Sequence, residues 1–341
     1  MPTRPLLPGL LLFIAPALAA QSRPHFHHLA ATPATVAWGY YSSAAKPVLH
    51  VASGDTVEVE TLITSSPTAL ERAGIAPDQV QQSLRDIFAH VTDRGPGGHI
   101  LTGPIAVDGA EPGDVLEVRL LDIRFAIPYA YNGCRGFLPD ECDQPSRTQI
   151  IALDTARMVG HFDSTIAIPL HPFFGSIGDA PPPDSGRVSS NPPSIHAGNM
   201  DNRALVAGTT LYIPVHAPGA LLEIGDGHAA QGDGEVDQTA LETSLVGRVQ
   251  VIVRKDLHFT WPRAETPTAL MTMGMDRDLT QATRIAVRQM IDLLMTTRGL
   301  SRGRAYALAS VAADLHIAEL VDGNLCVYMT VPKRIAGADR M

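Results

Sequence analysis

Short runs in which apolar and polar residues alternate, each soon closed by Gly, Pro or Asp, constrain this chain's fold more than any other feature. A period of two places every second side chain on one face of an extended strand. Val48-Leu49-His50-Val51 and Thr56-Val57-Glu58-Val59-Glu60-Thr61, with Gly54-Asp55 between them, predict a hairpin from Val48 to Leu62. The pattern returns at Ile105-Ala106-Val107 and at Val115 to Leu120, on either side of Gly109-Ala110-Glu111-Pro112-Gly113-Asp114. Pro and Gly there end one strand and start the next. Thr209 to Val215 and Leu245 to Val253 read as further strands. Strands this short and closely spaced suit a sandwich or barrel better than βαβ units.

The clearest helical periodicity lies in the C-terminal region. From Asp278 to Arg298 the residues Leu279, Ile285, Ala286, Met290, Ile291 and Leu294 share a face, with Asp278 placed to cap the start and Gly299 the end. A second helix, Ser301 to Val311, follows. Leu315 to Val321 and Leu325 to Val331 then predict a closing hairpin turned by Asp322-Gly323-Asn324. The expected fold is mainly β (α+β), with a sandwich- or barrel-like core, a C-terminal helical pair and that hairpin.

Residues 1–19 read as a signal peptide: Arg4, an apolar run from Leu6 to Ala15, and the small-x-small pattern Ala17-Leu18-Ala19. The run is too short to span a bilayer. A periplasmic or secreted mature protein is therefore expected, with no membrane contact after processing. Its roughly 320 residues suffice for a large core. A β-rich half, 20–180, is followed by Pro181-Pro182-Pro183 and Pro192-Pro193, and then by a half, 190–341, that carries the polar motifs. The net charge is −9, or −10 without Arg4, which argues against nucleic acid as a partner and leaves homo-oligomerisation open. Cys134 and Cys142, in a loop rich in Gly, Pro and acid, could close as a disulfide, although spacing alone does not bring their Cα atoms together. Cys326, in an apolar run, reads as a small buried residue.

The chemistry concentrates in Gly198-Asn199-Met200-Asp201-Asn202-Arg203 and in Gly225-Asp226-Gly227-His228-Ala229-Ala230-Gln231-Gly232-Asp233-Gly234-Glu235. Asp-Gly pairs alone would be turn tips. Turn tips do not need His228, Gln231 and Glu235 as well. Carboxylate and imidazole together suit a borderline divalent ion, and a spare carboxylate nearby could deprotonate water. His161, His171 and His258 read as ordinary hydrogen-bonded residues, and His25, His27 and His28 as part of a flexible mature N-terminus. The competing class is a non-catalytic exported β-sandwich whose Asp-rich loops hold a structural ion or a small ligand.

These two runs, with Thr102-Gly103-Pro104-Ile105, Gly109 to Leu116 and Pro214 to Leu222, closely resemble the acetamidase/formamidase family. The likeness extends from Trp38-Gly39-Tyr40 to the last strands, so 20–341 resembles one such catalytic domain. It implies metal-dependent hydrolysis of the C–N bond of a short linear amide, or a small lactam, to acid and ammonia or amine, on a β-rich fold with a divalent metal, often zinc. Carried over residue by residue, it implies Asp201, Asp226 and His228 as metal ligands and His99 as an extra one. Glu235 becomes the general base, while Gln231 and Asn199 are available to orient a small amide substrate. Two departures stand out. Ala37 precedes Trp38 where many relatives have His, a role that passes to His25, His27 or His28 if it is filled. Asp237 stands where relatives often have Cys, which disfavours a thiol nucleophile here.

Overall fold

The computed structural model describes residues 24–143 and 148–341; the expected signal segment, residues 1–19, lies outside them. Among the described residues two large sheets, of nine and eleven strands, share one core. In the nine-stranded sheet Leu245–Arg254 pairs with both Thr56–Glu60 and Val115–Phe125. Its Leu245, Val249 and Val251 face inward and alternate with half-exposed neighbours, as the period-two pattern requires. The eleven-stranded sheet is built around Leu222–His228, with Phe173–Gly178 on one side and Ile100–Val107, then Glu242–Thr243, on the other. Ile105, Phe174, Ile177, Leu222 and Ile224 close the core against Val57, Val59, Val118, Leu211 and Val249. Burying each large side chain contributes roughly 1.5–3 kcal/mol.

The predicted C-terminal elements are present. Helix Leu279–Arg298 is capped by the Asp278 side chain, which accepts from the Gln281 amide, and ends at Gly299 with φ 62°. Strand Ala269–Asp276 is buried on both faces: Met271, Met273 and Met275 enter the main core, while Leu270 packs beneath the helices with Ala286, Met290 and Leu294. Gly274 permits this close layer, since a Cβ there would collide with the backbone of Ala282 and Ala286. The closing hairpin forms from Asp314–Glu319 and Leu325–Pro332, and Cys326 lies in the core.

Two expectations are corrected. Leu49–Val51 and Thr56–Glu60 do not form a hairpin: the first pairs in parallel with Ile100–Val107, the second with Leu245–Arg254 in the other sheet. Asp55 makes this crossing stable, because its carboxylate accepts from the Ala52 and His25 amides and meets the His27 ring at 2.9 Å. For the same reason the N-terminal histidines are not on a flexible segment. Phe26–Leu29 is an edge strand parallel to Thr56–Glu60, and His27 and His28 meet Asp55, Glu58 and Glu60.

His196 is buried with Nε2 unpartnered. Burial, and secondarily His216, push its imidazolium down to about 4 from 6.5. The unfolded chain therefore binds the proton more tightly between those values. This contribution is intact above pH 6.5 and is lost as pH falls toward 4, about 3 kcal/mol in all. His196→Gln should flatten the dependence of urea midpoints on pH across that window. Parallel curves for parent and variant would refute the assignment.

Candidate metal and hydrolytic site

Leu222–His228 is buried along its whole length, and its C-terminal end carries Asp226 and His228 on one face, two residues apart. Opposite them, in Phe173–Gly178, stands Gly175. A Cβ there would collide with Asp201 Oδ1 and Asp226 Oδ2, so only glycine lets the two carboxylates and the His228 ring converge. Asp201 arrives from the turn after Ala197–Asn199, where its amide donates to the Gly175 carbonyl. Asp201, Asp226 and Glu235 all have positive φ, at 44°, 55° and 41°. Strain of this kind persists only where the surrounding structure over-determines it.

His228 Nε2 lies 3.1 Å from Asp226 Oδ2 and 3.3 Å from Glu242 Oε1, while Nδ1 is 3.8 Å from Asp201 Oδ1. Each of the sets Asp201–Asp226–His228, His228–Glu235–Glu242 and Asp201–Glu235–Asp322 offers donor atoms within 4.8 Å of one another. Ligands around a tetrahedral ion at about 2.1 Å stand roughly 3.4 Å apart, so such clusters need only small adjustments to share one. Asp201 Oδ1, Glu235 Oε2 and Glu242 Oε2 are buried without a hydrogen-bond partner. Unpaired atoms of this kind are costly unless a cation takes them up. The residues present therefore fit a divalent ion.

The protonation tendencies agree with a surplus of buried negative charge. Burial, and then the Asp322 carboxylate, push Glu235 well above the usual carboxylate range; burial followed by Glu235 does the same to Asp201. Burial alone would lower the His228 imidazolium, but Glu242 and Asp226 hold it well above its ordinary value. Asp226 goes the other way: burial opposes its charge, yet His228 and His99 outweigh that and depress it.

The structure brings together every residue singled out from the sequence, though not always in the expected use. His99 Nε2 faces Asp226 Oδ1 at 3.8 Å while Nδ1 meets Ser190 Oγ at 3.0 Å. Gln231 and Asn199 do not have free amides for substrate. Gln231 meets His228 Nδ1 through Oε1 (2.9 Å) and donates to the Asp201 and Ala318 carbonyls. Asn199 accepts from Ser176 and donates to Asp201 Oδ2 (2.7 Å) and Asp322 Oδ2 (2.8 Å). Both fix the ring and carboxylates instead. Such support orients and tunes ligands.

Sequence reasoning missed Glu242, Asp322 and Thr64. Thr64 donates to Asp226 Oδ1 at 2.9 Å. Asp322 was readable only as a turn residue, and Glu242 falls between polar and apolar residues with no local motif. The loop carrying Glu235 is held from two sides. Gly234 pairs with the hairpin through the Ala318 carbonyl and the Leu320 amide, and the amides of Arg135, Gly136 and Phe137 donate to the Asp237 and Val236 carbonyls. Cys134 and Cys142 are joined, with Cα atoms 5.7 Å apart, and close the loop that supplies this second clamp. A cavity of about 80 Å³ opens beside the cluster, lined by Thr64, His99, Asp201, Asp226, Glu235 and Glu242 among others.

The sequence signature of the acetamidase/formamidase family matches residues 43–185 and 184–337. A formamidase of Methylophilus methylotrophus is 29% identical over 199 residues, covering 40% of this chain and 47% of the relative. The chain spans about half the length of the curated relatives it matches. Among solved structures, an acetamidase from Yersinia enterocolitica superposes with TM-score 0.78 at 29% identity, covering 94% of this chain and 95% of that one. An acetamidase from Bacillus halodurans gives 0.76 at 28%, covering 90% and 97%.

Proposed function

Because the chain belongs to the acetamidase/formamidase family, we propose that it hydrolyses the C–N bond of a short linear amide or small lactam, releasing an acid and ammonia or an amine. The observation that carries this reading is the convergence of Asp201, Asp226 and His228 beside a buried carboxyl, Glu235, with a cavity next to them. A structural ion would be enclosed on all sides by its protein ligands, whereas here open space adjoins the donors.

Asp201, Asp226 and His228 would hold a divalent ion, with His99 and Glu242 alongside; the mixed oxygen and nitrogen donors suit zinc. When bound, such an ion supplies polarisation of the amide carbonyl and makes water acidic near neutral pH. Glu235 takes a proton from the attacking water and delivers it to the departing nitrogen. Gln231 keeps the His228 ring turned toward Asp226 and Glu242, and Asn199 spaces Asp201 from Asp322. Product formation from a panel of short amides and lactams (ammonia from primary amides, amine from secondary amides, the ring-opened amino acid from lactams), measured on protein loaded with zinc and on chelator-stripped protein, tests the reading. Turnover that is absent with metal, or unaltered by its removal, would overturn it.

We further propose export to the periplasm or beyond, on the composition of residues 1–19; the Cys134–Cys142 bridge suits an oxidising compartment. Protein from the envelope fraction should begin at or near Ala20 on N-terminal sequencing. An intact Met1 on cytosolic protein would contradict it. Among the described residues no helix is long and apolar enough to cross a membrane.

A further inference from the structure

Against the same Glu235 loop lies a second cavity, of about 510 Å³. It is several times larger than a short amide needs and falls within the range of sites for molecules with rings or chains. Phe162, Ile168, Pro169 and Leu241 form an apolar wall, and Val236 stands at its edge. Phe162 is 37% and Val236 60% exposed, so large apolar surface faces solvent there unless something covers it. Glu235 and Thr239 line both this cavity and the small one beside the metal-binding cluster. The two compartments therefore share the residue assigned to the leaving nitrogen.

We infer that the substrate is a secondary amide with a small acyl group and an apolar substituent on nitrogen, the acyl group occupying the small cavity beside Asp201, Asp226 and His228 and the substituent filling the 510 Å³ cavity. The inference rests on the amide-hydrolase reading above and gives it a direction. If Glu235 protonates nitrogen, whatever that nitrogen carries must extend past Glu235, and the larger cavity is what lies there. Water adds its oxygen to the carbonyl carbon and the C–N bond breaks. The proton that Glu235 took from water goes to nitrogen. The products are a short carboxylic acid and a primary amine. The apolar wall selects the amine by area removed from water.

The test compares kcat/KM for acetamide and N-benzylacetamide in zinc-loaded full-length protein, parent and variants. The expected ratio favours N-benzylacetamide at least tenfold, the discrimination that one or two buried methylenes provide. Ile168→Trp, which fills the cavity, should cut that ratio at least tenfold. Val236→Asp, at a well-exposed position where folding is not at stake, should lower it in the same direction. Benzylamine should compete with acetamide more weakly in both variants than in the parent. Acetamide turnover with no preference for the benzyl compound, or a preference that neither substitution alters, overturns the inference and leaves the amidase reading standing. Failure to cleave either amide overturns both.

Discussion

Glu235→Gln is expected to retain its metal and to lose turnover of short amides by on the order of 10² to 10⁴, the usual share of a positioned acid/base group. The substitution keeps the side chain's size within a loop fixed by the hairpin and the disulfide-closed segment, so the backbone has no reason to move. Glu235 Oε2 has no partner, and replacing it by an amide therefore breaks no hydrogen bond. What disappears is the capacity to carry a proton between water and nitrogen. Metal content per chain and kcat, measured on the same preparation, check the outcome. Near-parental kcat at full occupancy would move the role to Asp322, whose carboxylate borders the same cavity. Asp233, the other acid in the run, is less suited because it lines the larger cavity and not the one beside the cluster.

His228→Ala is expected to lose metal and activity together. Its ring supplies the only nitrogen donor of the Asp201–Asp226–His228 set, and its Nε2 stands between Asp226 and Glu242. Altering even a residue that merely supports a ligand costs 10- to 100-fold in metal affinity, so removing the ligand should cost at least on the order of 100-fold. Two carboxylates, Asp226 and Glu242, are also left without their neighbour, which predicts a lower stability of the metal-free protein. Adding excess zinc to the folded variant should then recover little activity. A variant that binds metal stoichiometrically and turns over at the parental rate would remove His228 from the ligand set. The pair of substitutions separates roles: one variant keeps the ion and loses proton transfer, the other loses the ion first.

Local pattern carried much of the architecture. Alternation predicted Leu245 to Val253 and Thr209 to Val215 as strands, and the structure has Leu245–Arg254 and Thr210–Pro214. The C-terminal helix was legible because its cap, its stripe and its terminating glycine all lie within one stretch of chain. Pairing was less legible. The Gly54-Asp55 turn looks like a hairpin tip, but whether two strands joined by a turn pair with each other depends on which sheet each one completes. Asp55, held by His25, His27 and Ala52, decides this through contacts up to 30 residues away.

The candidate site divides in the same way. The sequence by itself determined the types and spacing of donors: Asp226 and His228 two apart on a strand, Asp201 in a glycine-flanked turn, Glu235 at the end of a Gly-rich run. Those features are local, set by side-chain period and backbone freedom. Only the tertiary structure decided which donors meet. Gly175, bearing no functional group, leaves the space in which they converge, and Glu242 and Asp322 join them from elements with no motif of their own. It also decided that Gln231 and Asn199 spend their hydrogen bonds on the His228 ring and the Asp201 carboxylate. The physical reason is that a buried charge is tolerable only when surrounding groups compensate it, and those groups are chosen by proximity in space, which strand order sets and residue spacing does not.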